Sequence, residues 1–251
     1  MLSLTWARDL VVDWVVISFS IALSVVCPYC IPLSVFIVGN RQHALSILGH
    51  DATHKLVSKN RFINESLGNY FCYSPLLIPW REYRSFHAKH HKFLGTTKDP
   101  ELPIKEKLGL TEENATKRRI VSSFFADLFF LGISLESRLK PRRKDLRDWA
   151  IVHFLILSLG IACWQIPLIW YLSIISSGIA FARLRVWHEH VGTDKTHKIS
   201  ASWWQRILFL PHYAEYHHEH HEYPSVPYNL LHSIAEEDRV SVCDIHRRSH
   251  G

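Results

Sequence analysis

Residues 149–182 read WAIVHFLILSLGIACWQIPLIWYLSIISSGIAFA, 34 consecutive positions without Asp, Glu, Lys or Arg, broken only at Trp164-Gln165-Ile166-Pro167. Two apolar arms of about 15 residues joined by a turn predict a membrane hairpin. Each arm falls short of the ~20 residues that an untilted helix needs to cross a ~30 Å hydrocarbon core, so flanking residues or local thinning must complete the crossing. A second uncharged run, residues 14–40, is interrupted at Cys27-Pro28-Tyr29-Cys30-Ile31-Pro32 and predicts a second hairpin. Its first arm covers roughly residues 10–27, with Asp13 near the membrane edge, and its second soon meets Arg41. That helix is expected to continue through Leu48 with Arg41 facing the bundle interior or snorkelling, because a guanidinium facing lipid is costly.

The rest of the composition is consistent with a folded, membrane-inserted chain. Of 251 residues 47% are hydrophobic, Lys and Arg number 29 against 23 Asp and Glu, and the formal charge is +6. Ten Gly and 11 Pro exclude collagenous or disordered character, and five Cys argue against a secreted disulfide scaffold. The positive balance reads as topology rather than as nucleic-acid binding. Turns 28–32 and 164–167 carry no Lys or Arg, whereas the connecting segments hold Lys55, Lys59, Arg61, Arg81, Arg84 and the run Arg138, Lys140, Arg142, Arg143, Lys144, Arg147. Both termini are therefore expected in the cytoplasm. Residues 1–27 lack a basic leader and a small-residue cleavage site, so no cleaved signal is expected. Residues 62–80, 121–133 and 203–210 are apolar and aromatic but too short or too polar to cross, and predict helices on the cytoplasmic interface. The expected fold is all-α, one integrated domain over residues 1–251 with about four transmembrane helices in two hairpins.

Eighteen histidines are the outlier, and many are clustered. Gly49-His50-Asp51-Ala52-Thr53-His54 sets two imidazoles at i and i+4 on one helix face. Phe86-His87-Ala88-Lys89-His90-His91 places His87 one turn from both His90 and His91, while those two diverge by about 100° around the axis, a wedge that reaches two ions. Tyr216-His217-His218-Glu219-His220-His221 repeats that geometry with His217, His220 and His221, and Val186-Trp187-His188-Glu189-His190 adds a further candidate. Imidazole suits iron, copper, nickel or zinc, so ligand type alone does not choose the metal. A structural zinc site closes with four ligands, so nine histidines fit two ions with four or five nitrogens each and an open position for chemistry.

These three clusters resemble the histidine boxes of the integral-membrane fatty acid desaturase superfamily. The resemblance extends to Gly95-Thr96-Thr97-Lys98-Asp99-Pro100 after the second box and to Glu222-Tyr223-Pro224-Ser225-Val226-Pro227 after the third, and with the hairpins spans about residues 10–231. It implies a four-span bundle with a cytoplasmic cap and a non-haem di-iron site held by the eight box histidines, His50, His54, His87, His90, His91, His217, His220 and His221. A ninth ligand comes from the helix before the third box, where His190 matches. Some acyl-coenzyme A desaturases carry an asparagine four residues ahead of that ligand; Val186 stands here. The implied chemistry uses O2 at reduced iron to remove hydrogen from an unactivated C–H bond of a fatty acyl lipid held in an apolar channel, giving a cis double bond. Hydroxylation, or carotenoid ketolation or hydroxylation, is the alternative. A metal transporter, the reading from another class, needs ligands at mid-membrane, whereas these follow the apolar runs on one side.

No fused haem, iron–sulfur or flavin signature is present, so a separate ferredoxin or b-type cytochrome is the expected electron donor. The Arg138 to Arg147 run is expected to set topology beside anionic lipid, with an acidic donor as its alternative partner. Asp51, Glu189, Glu219 and Asp99 are candidates to accept the second N–H of a ligating imidazole. His218 is expected to support the site without ligating. Cys27 and Cys30 are expected to be incidental, His43 and His153 to be hydrogen-bonded packing residues, and His188, His197, His212, His232, His246 and His250 not to ligate. Trp170, Tyr171 and Phe181 are expected to pack or face lipid rather than line the channel.

Overall fold

A computed structural model of the chain describes residues 2–108, 117–129, 139–193 and 195–235. Arg138, residues 130–133, His246 and His250 lie outside them. The described residues are helical, with a single isolated bridge between Leu2 and Ser58 and no strand. Helix α1 (Leu4–Val26) turns through Cys27 and a short 3-10 segment, Pro28–Cys30, into α2 (Ile31–Thr53). Pro32 sits in the first turn of α2 rather than in the loop, since the N–H it lacks would have no intrahelical acceptor there. α3 (Arg61–Leu67) begins at Asn60, whose Oδ1 accepts from Ile63 N at 3.1 Å, and runs on through a π turn, Gly68–Tyr73. α4 (Trp80–Phe93), α5 (Leu102–Leu108) and α6 (Lys117–Leu128) follow. The second hairpin is α7 (Arg143–Ala162) and α8 (Gln165–Ser173), which continues through a π turn, Ile174–Gly178, into α9 (Ile179–His190). α10 (Trp203–Leu208) and α11 (His217–Glu222) complete the set.

The hairpin helices are longer than the charge-free windows suggest. α7 has 20 residues, and Gln165–His190 is one continuous helix of 26. The helices run through their flanking charges because those charges are paired. Arg81 Nη1 lies 2.8 Å from Asp145 and 2.9 Å from Asp148, Arg183 lies 2.9 Å from Asp127, and Arg185 lies 2.5 Å from Glu189. Arg41 does face the interior, where its Nη1 donates to the fully buried Asp13 at 3.1 Å. α2 also extends past Leu48 to Thr53, so His50 lies within it and His54 caps it.

α2 is the central element, packed by α1, α8, the 174–178 turn and the 68–73 turn. A Cβ on Gly39 would come within 1.9 Å of Ser177 Oγ, and one on Gly49 within 2.2 Å of the Tyr73 ring, so these glycines permit the two closest approaches to α2. In the segment 62–80 expected on the interface, one face is buried, with Cys72 and Tyr73 packed against α2, while Phe62 and Phe71 remain outward. α6 similarly packs on α9, whereas α10 keeps Trp203 and Ile207 exposed. Among the described residues two helices are long and apolar enough to cross a membrane, Leu4–Val26 and Gln165–His190. α1 and α7 also present outward apolar rows that include Val11, Val15 and Phe19, and Phe154, Leu155 and Ile161.

Candidate metal centre

Four helix segments deliver the imidazoles to one place. α2 ends with His50 and His54, α4 projects His87, His90 and His91, α9 ends at His190, and α11 carries His217, His220 and His221. The donor atoms fall into two adjoining sets. His50, His54, His87, His91 and His220 form the first, their donor atoms all within 4.8 Å of one another. His90, His217 and His221 form the second, and His190 joins it through His90 and His217. The two sets touch where the rings of His91 and His221 stack at 4.2 Å. All nine histidines singled out by spacing are thus brought together.

The nitrogen spacing fits bound ions. His87 Nε2 lies 2.9 Å from His54 Nε2 and 2.9 Å from His91 Nε2, and His91 Nε2 lies 3.1 Å from His220 Nε2. A ring nitrogen offers one in-plane proton or one in-plane lone pair, so His87 Nε2 cannot satisfy two such neighbours by hydrogen bonding. Two nitrogens bound to one ion at ~2.1 Å stand about 3.0–3.4 Å apart, close to what is seen here. His50 Nε2, buried within this set, has no hydrogen-bond partner among the described residues. Burial, reinforced by neighbouring imidazoles, holds His87, His220 and His221 well below the ordinary imidazole range and His91 down to about 3. The rings are therefore neutral donors at physiological pH, as metal ligation requires.

Several imidazoles are oriented through their other nitrogen. His90 Nδ1–H donates to Asp99 Oδ1 at 2.8 Å and His190 Nδ1–H to the Lys195 carbonyl at 2.7 Å, while His217 Nδ1 lies 3.4 Å from Glu189 Oε1. Asp99 and Glu189 thus stand where the spacing suggested. Asp51 does not: its carboxylate accepts from Tyr228 N at 3.2 Å, tying α2 to the segment after the third box. Glu219 is buried with Oε2 unpartnered among the described residues. His218 stays outside both sets and pairs with Thr196 Oγ1 at 3.0 Å. His153 is a packing residue, bonded to Tyr171 Oη at 2.8 Å and the Ser74 carbonyl at 3.1 Å. Trp170 stacks on Trp14 and Phe181 packs edge-on against Phe124.

A cavity of about 460 Å³ adjoins both sets; its lining includes His50, His87 and His217, the apolar Leu76, Ile78, Ile174 and Val186, and the charged Lys105, Arg185 and Glu189. Gln42 and His43 also reach it from α2, and Gln42 Oε1 and both ring nitrogens of His43 have no hydrogen-bond partner among the described residues. His43 is buried and stacks on the Phe181 ring, the packing role expected of it, without a hydrogen bond of ordinary geometry at its ring nitrogens.

The fatty acid desaturase family model matches residues 26–248. The chain belongs to this family. The histidine cluster of the chain is able to hold metal. Among similar proteins are dihydrorhizobitoxine desaturase of Bradyrhizobium elkanii, 25% identical over 80% of this chain and 65% of that protein, and the chloroplastic omega-3 fatty acid desaturase of Ricinus communis, 34% identical over 34% and 19%. A third is the sn-1 acyl-lipid omega-3 desaturase (ferredoxin) of Nostoc sp., 28% identical over 31% of this chain and 25% of that protein. Each match covers less than two thirds of the relative's length. No solved structure matches significantly. Beyond the boxes, this desaturase-family chain brings one further donor to the centre that spacing did not single out. Glu101, two residues past Asp99, lies beside His90 and His190. Its only sequence signal is its place in Asp99-Pro100-Glu101.

Proposed function

We propose that the chain is a multi-pass membrane oxidoreductase that holds two non-haem irons on its nine clustered histidines and introduces a double bond into a fatty acyl chain. The observation that carries this reading is the convergence of five imidazoles and four imidazoles beside a mostly apolar cavity that three of them line. The outward apolar rows of α1 and α7 support four spans in two hairpins, with termini and site on the cytoplasmic side by the charge distribution. His50, His54, His87, His91 and His220 would hold one iron, and His90, His190, His217 and His221 the other. Bound there, the reduced iron pair supplies O2 activation and hydrogen removal from carbon. The balance is one O2, two protons and two electrons consumed, with one –CH2–CH2– converted to –CH=CH– and two waters released. The electrons come from a separate donor such as a ferredoxin or a b-type cytochrome.

The protein's own part is placement. Asp99 and the Lys195 carbonyl fix the Nδ1–H tautomers of His90 and His190 and so aim Nε2 into the centre. The apolar lining would receive hydrocarbon and limit water beside the histidines. Asp99→Asn is expected to weaken iron binding about 10–100-fold, because an amide offers His90 a weaker acceptor, and chelator competition on the purified protein measures this.

The free Oε1 of Gln42, whose Nε2 donates to the Trp170 carbonyl at 3.0 Å, and the buried His43 ring favour a second reading within the same chemistry, in which the substrate is a smaller molecule carrying a hydrogen-bonding group. The likeness to a dihydrorhizobitoxine desaturase is in keeping with it. Iron quantitation on the purified protein, with mass spectrometry of lipids, carotenoids and polar metabolites from cells with and without the gene, separates the readings. Unsaturated acyl chains that appear with the gene support the first reading. Changed polar metabolites with unchanged acyl chains select the second, and changed carotenoids alone or absence of iron overturn both.

A further inference from the structure

The two imidazole sets differ in number, and the smaller one has an additional neighbour. Val186, one helical turn before His190, offers no donor to it. On that side Glu101 Oε2 lies 3.5 Å from His90 Nε2 and 3.6 Å from His190 Nε2, and the three donor atoms fall within 4.8 Å of one another. These separations exceed a normal hydrogen bond and are near the spacing of neighbouring ligands on one ion. Of the nearby cations, Lys105 Nζ lies 3.4 Å from Asp99 and Arg185 pairs with Glu189 at 2.5 Å, and both also attract Glu101 through space. The loop holds Glu101 in place through the group that orients His90. Asp99 Oδ1 accepts from Glu101 N at 2.9 Å and from His90 Nδ1 at 2.8 Å, so a single carboxylate sets the position of both donors. Glu101 also lines the cavity.

We propose that Glu101 is a carboxylate ligand of the second ion, completing His90, His190, His217 and His221 with one anionic oxygen. The inference rests on the two-iron reading above. It makes the two ions unlike, one held by five neutral nitrogens and the other by four nitrogens and a negative oxygen, which lowers the net charge of the second site by one.

The test loads the full-length protein in detergent with ferrous 57Fe under anaerobic conditions and reads iron per chain together with Mössbauer spectra. The wild type is expected to bind two irons with two distinct quadrupole doublets of equal area. E101Q is expected to lose or shift one doublet, with iron falling towards one per chain, while E101D retains both. Two irons and both doublets unchanged in E101Q overturn the proposal. A wild type that binds no iron overturns the two-iron reading itself, and the inference with it. If E101Q does not yield a monodisperse protein, infrared difference spectra of the wild type on iron removal decide: a shifted carboxylate stretch supports Glu101 ligation, and its absence overturns it.

Discussion

Alanine at His90 and alanine at His91 are each expected to halve the iron bound per chain, and the iron lost will not be the same one. The two residues are neighbours on α4 and diverge by about 100° around its axis, so one helix turn feeds two sets. His91 Nε2 sits 2.9 Å from His87 Nε2 and 3.1 Å from His220 Nε2, whereas His90 Nε2 sits 3.3 Å from His221 Nε2 and 3.5 Å from Glu101. Loss of a direct ligand should reduce turnover by more than the roughly 10–100-fold that accompanies loss of an outer hydrogen-bond partner. Helix content should be retained, because alanine is a good helix former. Iron analysis and Mössbauer spectra of the two variants check this. Loss of the same doublet in both would refute the partition into two sets, and full activity with two irons in either would refute ligation by that residue.

The imidazoles were legible in the sequence because their arrangement is local. Spacings of i, i+3 and i+4 in α4 and α11 place rings on fixed faces whatever surrounds them. The allocation of each ring to a set was not legible, because it depends on how α11 docks against α4, and so on segments 130 residues apart: His90 meets His221, and His91 meets His220. The hairpins were visible in outline but not in extent, because charges read as helix limits, such as Arg183 and Asp148, are neutralised by partners that only the fold brings close. Asp51 beside a box looked like a support for His50 or His54, yet its partner is Tyr228, far along the chain. Glu101 falls outside any helical register with the histidines and reaches them through the turn after α4, for which a periodicity argument has no signal.

The junction of α4 with α7 at Asp148 provides the largest expected loss of stability. Asp148 on α7 is fully buried and accepts from Asn69 Nδ2 at 2.9 Å, Tyr70 Oη at 3.0 Å, Arg81 Nη1 at 2.9 Å and Arg147 Nη2 at 3.0 Å. Asn69 and Tyr70 belong to the π turn packed on α2, and Arg81 begins the helix that carries His87, His90 and His91. One carboxylate therefore fastens the histidine-bearing helix and its supporting turn to the second hairpin. Removing one partner of a buried pair typically costs about 3–5 kcal/mol because the remaining groups stay buried and unsatisfied. Arg81 keeps Asp145 at 2.8 Å, which puts Asp148→Ala at the lower end of that range. Asp148→Asn, which retains an acceptor but not the charge, should lose about half as much, and Arg147→Ala, altering an exposed side chain, should change little. Thermal unfolding in detergent should rank the variants in that order. The iron affinity of Asp148→Ala should fall with its stability, since a shifted α4 moves three rings at once. Wild-type unfolding of Asp148→Ala would show that α4 is held by its other contacts alone.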